Sequence, residues 1–337
     1  MAETLRVAVV GAGKLGSIHA RIVTELEGAQ LAGIHDADPA VAARVAETHG
    51  CTVFETLDDV ARGADAAIVA VPTVAHASVA RELIEAGLPC LIEKPLARSP
   101  AEGQGIVDLA RARGLPLMVG HVERFNPAII ALLQLGLEPG FLEAHRVAPF
   151  SFRSADVGVV LDVMIHDIDL ILHLVQSRPK SVHAVGVGIL GENEDLANAR
   201  ILFENGSAAN VTASRLALKV ERKLRMFSQN CYVSLDLAAK SGRIVRPGKN
   251  LKKRIQDGTL DLGRMSPLEA MLKKIVSSET LKVDKKLEPL KEEDREFLAA
   301  IRENRDPVVT GEHGVMAMET AEMVVKSIAE NLAHMGE

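Results

Sequence analysis

Short apolar runs and longer amphipathic stretches alternate over the first third of the chain. Leu5–Val10, Gln30–His35, Ala66–Val71, Pro89–Ile92 and Pro116–Val119 are rich in Val, Ile, Leu and Ala. Runs this short and this uniformly apolar fit strands covered on both faces. Between them, Lys14–Leu26, Pro39–His49, Thr56–Arg62, Val74–Ala86 and Ser99–Arg113 carry apolar positions at helical spacing. Asp38-Pro39 and Ser99-Pro100 each set a capping side chain before a proline at the first helical position. The alternation predicts a parallel sheet with helices on both faces.

After Phe125 the rhythm changes. Asn126-Pro127 opens a short apolar helix to about Leu135, and a strongly apolar stretch runs from Val160 to Val175. Val182–Leu190, Ala199–Phe203, Ala208–Ala213, Leu224–Phe227 and Cys231–Leu235 then succeed one another as β-type runs, with Asn205-Gly206 as a two-residue hairpin turn. Consecutive strands without helices predict a largely antiparallel sheet. Gly242–Glu288 is polar and poorly periodic, so loops are expected, with one helix near Pro267–Val276. Helices close the chain at Lys291–Glu303 and Glu312–Leu332. The whole reads as α/β: a parallel-sheet domain over 1–122 and an α+β domain with an open, mostly antiparallel sheet over 123–337.

Bulk properties narrow the picture. At 337 residues the chain exceeds a single core. It has no apolar run of membrane length and no signal-peptide pattern, so a cytoplasmic protein is expected. Cys51, Cys90 and Cys231 are far apart, without CxxC spacing, and read as thiols in a reducing compartment. A net charge of −6, no Trp and one Tyr argue against a nucleic-acid partner. The charge is uneven: Arg215–Lys286 holds 18 Lys and Arg against 7 Asp and Glu. That strip is either a solvated face or subunit contact, or it steers an anionic small molecule.

Gly11-Ala12-Gly13-Lys14-Leu15-Gly16 is a GxGxxG run between a strand and a helix, the context in which it cradles a dinucleotide pyrophosphate. Asp36 lies 20 residues beyond Gly16 at the end of the second run, where a carboxylate accepts from ribose hydroxyls and repels a 2′-phosphate. NAD is thus expected over NADP. FAD shares the fingerprint, but the second domain argues against it.

Two further segments carry chemistry. Lys94, in Glu93-Lys94-Pro95, follows an apolar strand on the side where open α/β sheets bind ligands. In Asp162-Val163-Met164-Ile165-His166-Asp167-Ile168-Asp169, helical spacing puts Asp162 and His166 on one face, with Asp169 a turn further. A neutral imidazole beside a carboxylate is a competent general base, and a nearby ammonium stabilises an alkoxide. Two other readings stay open: a satisfied core histidine, and metal ligation by Asp162, His166 and Asp169.

Together these motifs resemble the Gfo/Idh/MocA oxidoreductase family, from the glycine loop to the closing helix around Glu312–Ala321. The resemblance implies a Rossmann domain for the first part, NAD as cofactor, and homo-oligomers (a dimer or tetramer) formed through sheet faces. It implies that Lys94 orients a substrate hydroxyl, that His166 takes its proton and that Asp162 supports both. Glu93 would contact the nicotinamide ribose, Pro95 would follow a cis peptide, and Val71, Pro72 and His76 would form the cofactor-edge loop. Val119–Ala128 and Asp156–Asp169 are similar to the branch that oxidises the 3-hydroxyl of UDP-N-acetylglucosamine for 3-amino-sugar lipid A synthesis. On that resemblance His121 joins the cofactor residues, and Glu123, Arg124, Asn126 and Arg153 join the substrate residues. The alternative for Asn126 is a helix cap with Pro127 at the first position, and for Arg124 a structural role. Other readings are a dehydrogenase of a free sugar or inositol, an NAD-dependent glycosidase, and a non-catalytic NAD-binding regulator.

Overall fold

The computed structural model describes residues 4–149, 157–191, 193–272 and 275–335. They fall into two compact units, Met1–Phe125 with Leu287–Met323, and Asn126–Lys286 with Val324–Glu337.

The first unit is built on a six-stranded sheet in the order β3-β2-β1-β4-β5-β6, formed by β1 Leu5–Val10, β2 Ala29–His35, β3 Thr52–Val53, β4 Ala66–Val69, β5 Cys90–Glu93 and β6 Leu117–Gly120. All pairings are parallel. Val7–Val10, Ala66–Val69 and Cys90–Ile92 are at most 1% exposed, so these runs are apolar because neither face meets water. The order reverses between β1 and β4, which makes a crevice at the strand C-termini. Helices α1 Lys14–Glu25, α2 Pro39–His49, α3 Leu57–Gly63, α4 Thr73–Glu85 and α5 Pro100–Arg113 link the strands. The caps are those the sequence announces: the Asp38 side chain accepts from the Ala40 N–H and that of Ser99 from the Glu102 N–H. The edge strand β3 has no counterpart among the predicted runs, being two exposed residues too short to show a period.

The second unit holds an eight-stranded sheet in the order β14-β13-β12-β11-β7-β10-β9-β8. Its strands are β7 Phe141–Val147, β8 Pro179–Val187, β9 Leu196–Phe203, β10 Ala208–Ser214, β11 Glu221–Ser228, β12 Cys231–Asp236, β13 Ser241–Pro247 and β14 Val276–Thr280. Every pairing is antiparallel except β7 with β10. Burial alternates along β9, β10 and β12, as expected of strands with one face in the core. Helix α6 Pro127–Leu133 precedes the sheet, and α7 Ile165–Val175 packs on it. Arg146 on β7 donates twice to Asp167 on α7 at 2.9 and 2.8 Å, a buried pair that fixes the helix to the sheet.

Three local expectations need correction. Between Gly242 and Glu288 the chain forms β13, the helices α8 Leu251–Gln256 and α9 Pro267–Leu272, and β14. In β13 the buried Gly242 and Ile244 flank the exposed Arg243, but Arg246 falls on the side of Gly242 and Ile244, so the basic residues hide the period. The hairpin at Asn205-Gly206 is one residue longer than expected: only Gly206 has positive φ, +86°, and its N–H donates to the Phe203 carbonyl. That is a turn closed by a left-handed glycine and not a paired left-handed turn. Finally, α7 is preceded by a π-type turn, Val160–Met164. Helices α10 Pro289–Glu303 and α11 Gly311–Met335 end the described chain.

Candidate active site

The glycine loop is set by close approaches that admit no side chain. At Gly11 φ is +95°, and an added Cβ would lie 2.6 Å from the Ala70 carbonyl. At Gly16 it would lie 1.7 Å from the Gly11 oxygen, so α1 can sit against β1 only with glycine there. At Gly13 an added Cβ meets nothing within 4 Å. No neighbour in the protein demands that glycine, whereas close approach by a ligand would. Lys14 and Leu15 are exposed beside it, and α1 begins at Gly13 without a side-chain cap, leaving its first N–H groups available to an anion. The Asp36 carboxylate braces the loop, accepting from the Ala12 N–H at 2.6 Å and the Asp38 N–H at 2.9 Å. The chain's own residues therefore fit a dinucleotide at this loop.

On the neighbouring loops, Val71 is half-buried and Pro72 exposed ahead of α4. His76, 1% exposed, reaches the Pro95 carbonyl through Nδ1 at 2.8 Å and the Val71 carbonyl through Nε2 at 2.9 Å, tying the β4 and β5 loops together. Burial holds its pKa below the ordinary histidine value, against the pull of those carbonyls. Glu93 is the last residue of β5; it is 7% exposed, Lys94 is half-buried, and the Lys94–Pro95 peptide is cis. His121 lies just past β6 and is 1% exposed.

Sequence reasoning missed the group that holds Glu93. His19 on α1 is fully buried, with Nε2 3.0 Å from Glu93 Oε1 and Nδ1 2.9 Å from Asp294 Oδ1 on α10. Burial works against the charged ring, but Asp294 and Glu93 outweigh it and hold the His19 pKa well above the ordinary value. These partners are 74 and 275 positions from His19, beyond any local spacing signal.

Glu123 and Arg124 lie in a 3₁₀ turn, Val122–Phe125, and are 5% and 3% exposed; an Arg124 N–H donates to the Val308 carbonyl. In the second unit, Asn126 caps α6 by accepting from the Ala128 N–H, and its amide donates to the Leu237 carbonyl. Arg153 and Asp156 lie outside the described residues.

Asp162 falls in the π turn and His166 in the first turn of α7; both are half-buried, while Asp169 is fully buried. The Ile165 N–H reaches back five residues to the Val160 carbonyl, the wider turn often found at functional sites. Glu194 caps this segment: its backbone carbonyl accepts from the Val159 N–H and its Oε1 from the Val160 N–H at 3.1 Å. Asp195 next to it is fully buried, accepting from the Ile189 and Leu190 N–H groups and from Arg215, which also donates to the Val157 carbonyl. Lys94 thus stands in the first unit, and Asp162 and His166 together in the second.

Residues 5–121 match the oxidoreductase family with an NAD-binding Rossmann fold, and residues 142–232 match the Gfo/Idh/MocA C-terminal domain. UDP-N-acetylglucosamine 3-dehydrogenase from Acidithiobacillus ferrooxidans is 36% identical over 278 residues, 81% of this chain and 88% of the relative. A solved structure of that protein, GnnA, superposes with a TM-score of 0.86 at 34% identity, covering 96% of this chain and 97% of its own. Inositol 2-dehydrogenase from Rhizobium meliloti is 25% identical over 344 residues, covering 97% of this chain and 98% of the relative.

Proposed function

Because the chain belongs to the Gfo/Idh/MocA oxidoreductase family, with NAD as its cofactor, we propose that it oxidises the 3-hydroxyl of UDP-N-acetylglucosamine to a ketone. The observation that carries the substrate is the 36% identity to UDP-N-acetylglucosamine 3-dehydrogenase across most of both chains. When bound, NAD supplies the hydride acceptor. The residues at the Gly11–Gly16 loop bind its pyrophosphate, and Asp36 accepts from the adenosine ribose hydroxyls.

His166 takes the proton of the substrate hydroxyl, with Asp162 steadying the imidazolium that results. The Lys94 ammonium orients the same hydroxyl and stabilises the negative charge that develops on its oxygen. Glu93 and His121, with Val71, Pro72 and His76, border the nicotinamide end. The enzyme works in the cytoplasm as a homodimer or homotetramer.

The test is NAD reduction by the purified protein with UDP-N-acetylglucosamine, myo-inositol and glucose in parallel, with the product identified by mass. Formation of the keto sugar nucleotide with NADH in equal amount is the expected result. Turnover only with myo-inositol would favour the second reading, which the near full-length match to inositol 2-dehydrogenase supports.

A further inference from the structure

Among the described residues, the buried ionisable cluster around His19 is left without a part in the chemistry above. A ring nitrogen of His19 and a carboxylate oxygen each of Glu293 and Asp294 lie within 4.8 Å of one another, and all three residues are at most 1% exposed. Glu93 faces the ring from β5, and Asp294 and Glu293 from α10; Glu288, before that helix, is half-exposed, paired with Arg21, and acts on Asp294. Burying this many acidic groups is costly unless a positive charge is held among them. The ring has its two nitrogens in two different directions, one toward each carboxylate, so only the doubly protonated form donates to both. Glu93 is confined on its other side as well. Its Oε2 accepts from the Lys94 N–H at 3.2 Å and lies against Gly120, where an added Cβ would stand 2.9 Å from it.

We propose that His19 is a positioning residue: clamped as an imidazolium by Asp294, it fixes the Glu93 carboxylate and, through the Lys94 N–H, the start of the Lys94–Pro95 turn. The helix that opens at the glycine loop thereby carries, one and a half turns in, the group that orients the opposite end of the cofactor site. This rests on the reading of Glu93 and Lys94 as the nicotinamide end. It adds that their placement depends on a charge on α1 and a counter-charge on α10.

Titration of NADH, followed by its own fluorescence, tests this without turnover. The wild type should hold its affinity to well above the pH at which an ordinary histidine loses its proton, because His19 keeps its proton there. His19→Ala and His19→Gln should each bind roughly tenfold more weakly, because neither places a charge beside Glu93. Asp294→Asn keeps the acceptor but removes the charge that retains the proton. Its NADH affinity should become pH-dependent, wild-type-like in acid and roughly tenfold weaker in alkali. Should His19→Ala not fold, the Gln and Asp294→Asn proteins still decide. An Asp294→Asn profile as flat as the wild type's, or His19→Ala binding at wild-type strength, would overturn the inference. A wild type that binds no NADH at all would remove the cofactor reading and this inference with it.

Discussion

Asp36 does two things with one carboxylate: it braces the glycine loop through the Ala12 N–H, and it presents negative charge at the end of β2. Asp36→Asn keeps the shape but loses the charge. The preference for NAD over NADP, measured as the ratio of the two kcat/KM values, should fall by about tenfold, the scale of one charge-assisted hydrogen bond. An unchanged ratio would mean that other residues set cofactor choice. The thiols make a second test at this scale. Burial pushes the Cys90 thiol up to about 12 and raises that of Cys51 as well, but Cys51 is half-buried and Cys90 fully buried. Limited alkylation of the native protein at neutral pH, read by peptide mass, should mark Cys51 first and spare Cys90.

The π turn at Val160–Met164 depends on Gly158, because a Cβ there would stand 2.1 Å from Glu194 Oε1. Gly158→Ala should displace that carboxylate from the Val160 N–H and cost roughly 1 kcal/mol of stability in urea unfolding. It should lower kcat while leaving NADH affinity unchanged, since nothing at the glycine loop is touched. At this scale the sequence was most legible where one period dominates: the buried parallel strands, and the caps at Asp38 and Ser99, read directly. Where two demands overlap, it was not. The arginines of β13 obscure its alternation, and β3 is too short to have one. An apolar stretch such as Val160–Val175 announces a helix but not the extra residue in its first turn, which is set by Glu194 from the β8–β9 connection. The residues on which the proposed chemistry rests, Asp36, Lys94, Asp162 and His166, were singled out through local motifs. His19 was not, because its meaning comes from carboxylates on two other elements.

Across the whole molecule, the His19 cluster ties stability to pH in a direction that can be stated. A pKa held above its ordinary 6.5 in the folded state means the imidazolium's contribution is fully present below that value and is lost as pH rises through the folded pKa. Melting temperature should therefore fall on the alkaline side, and His19→Gln should flatten that limb; a His19→Gln protein with an identical alkaline profile would assign the loss elsewhere. Among the described residues no helix is long and apolar enough to cross a membrane. In the proposed reaction Lys94 and His166 act on one substrate hydroxyl. The most direct measurement is NADH formation from NAD and UDP-N-acetylglucosamine by wild type, Lys94→Ala, His166→Ala and the double variant. Each single change should lower kcat by about 10²- to 10⁴-fold, and the double should lose little more than the worse single, because the two groups act in one step. Single variants that turn over at the wild-type rate, or losses that simply multiply in the double, would contradict it.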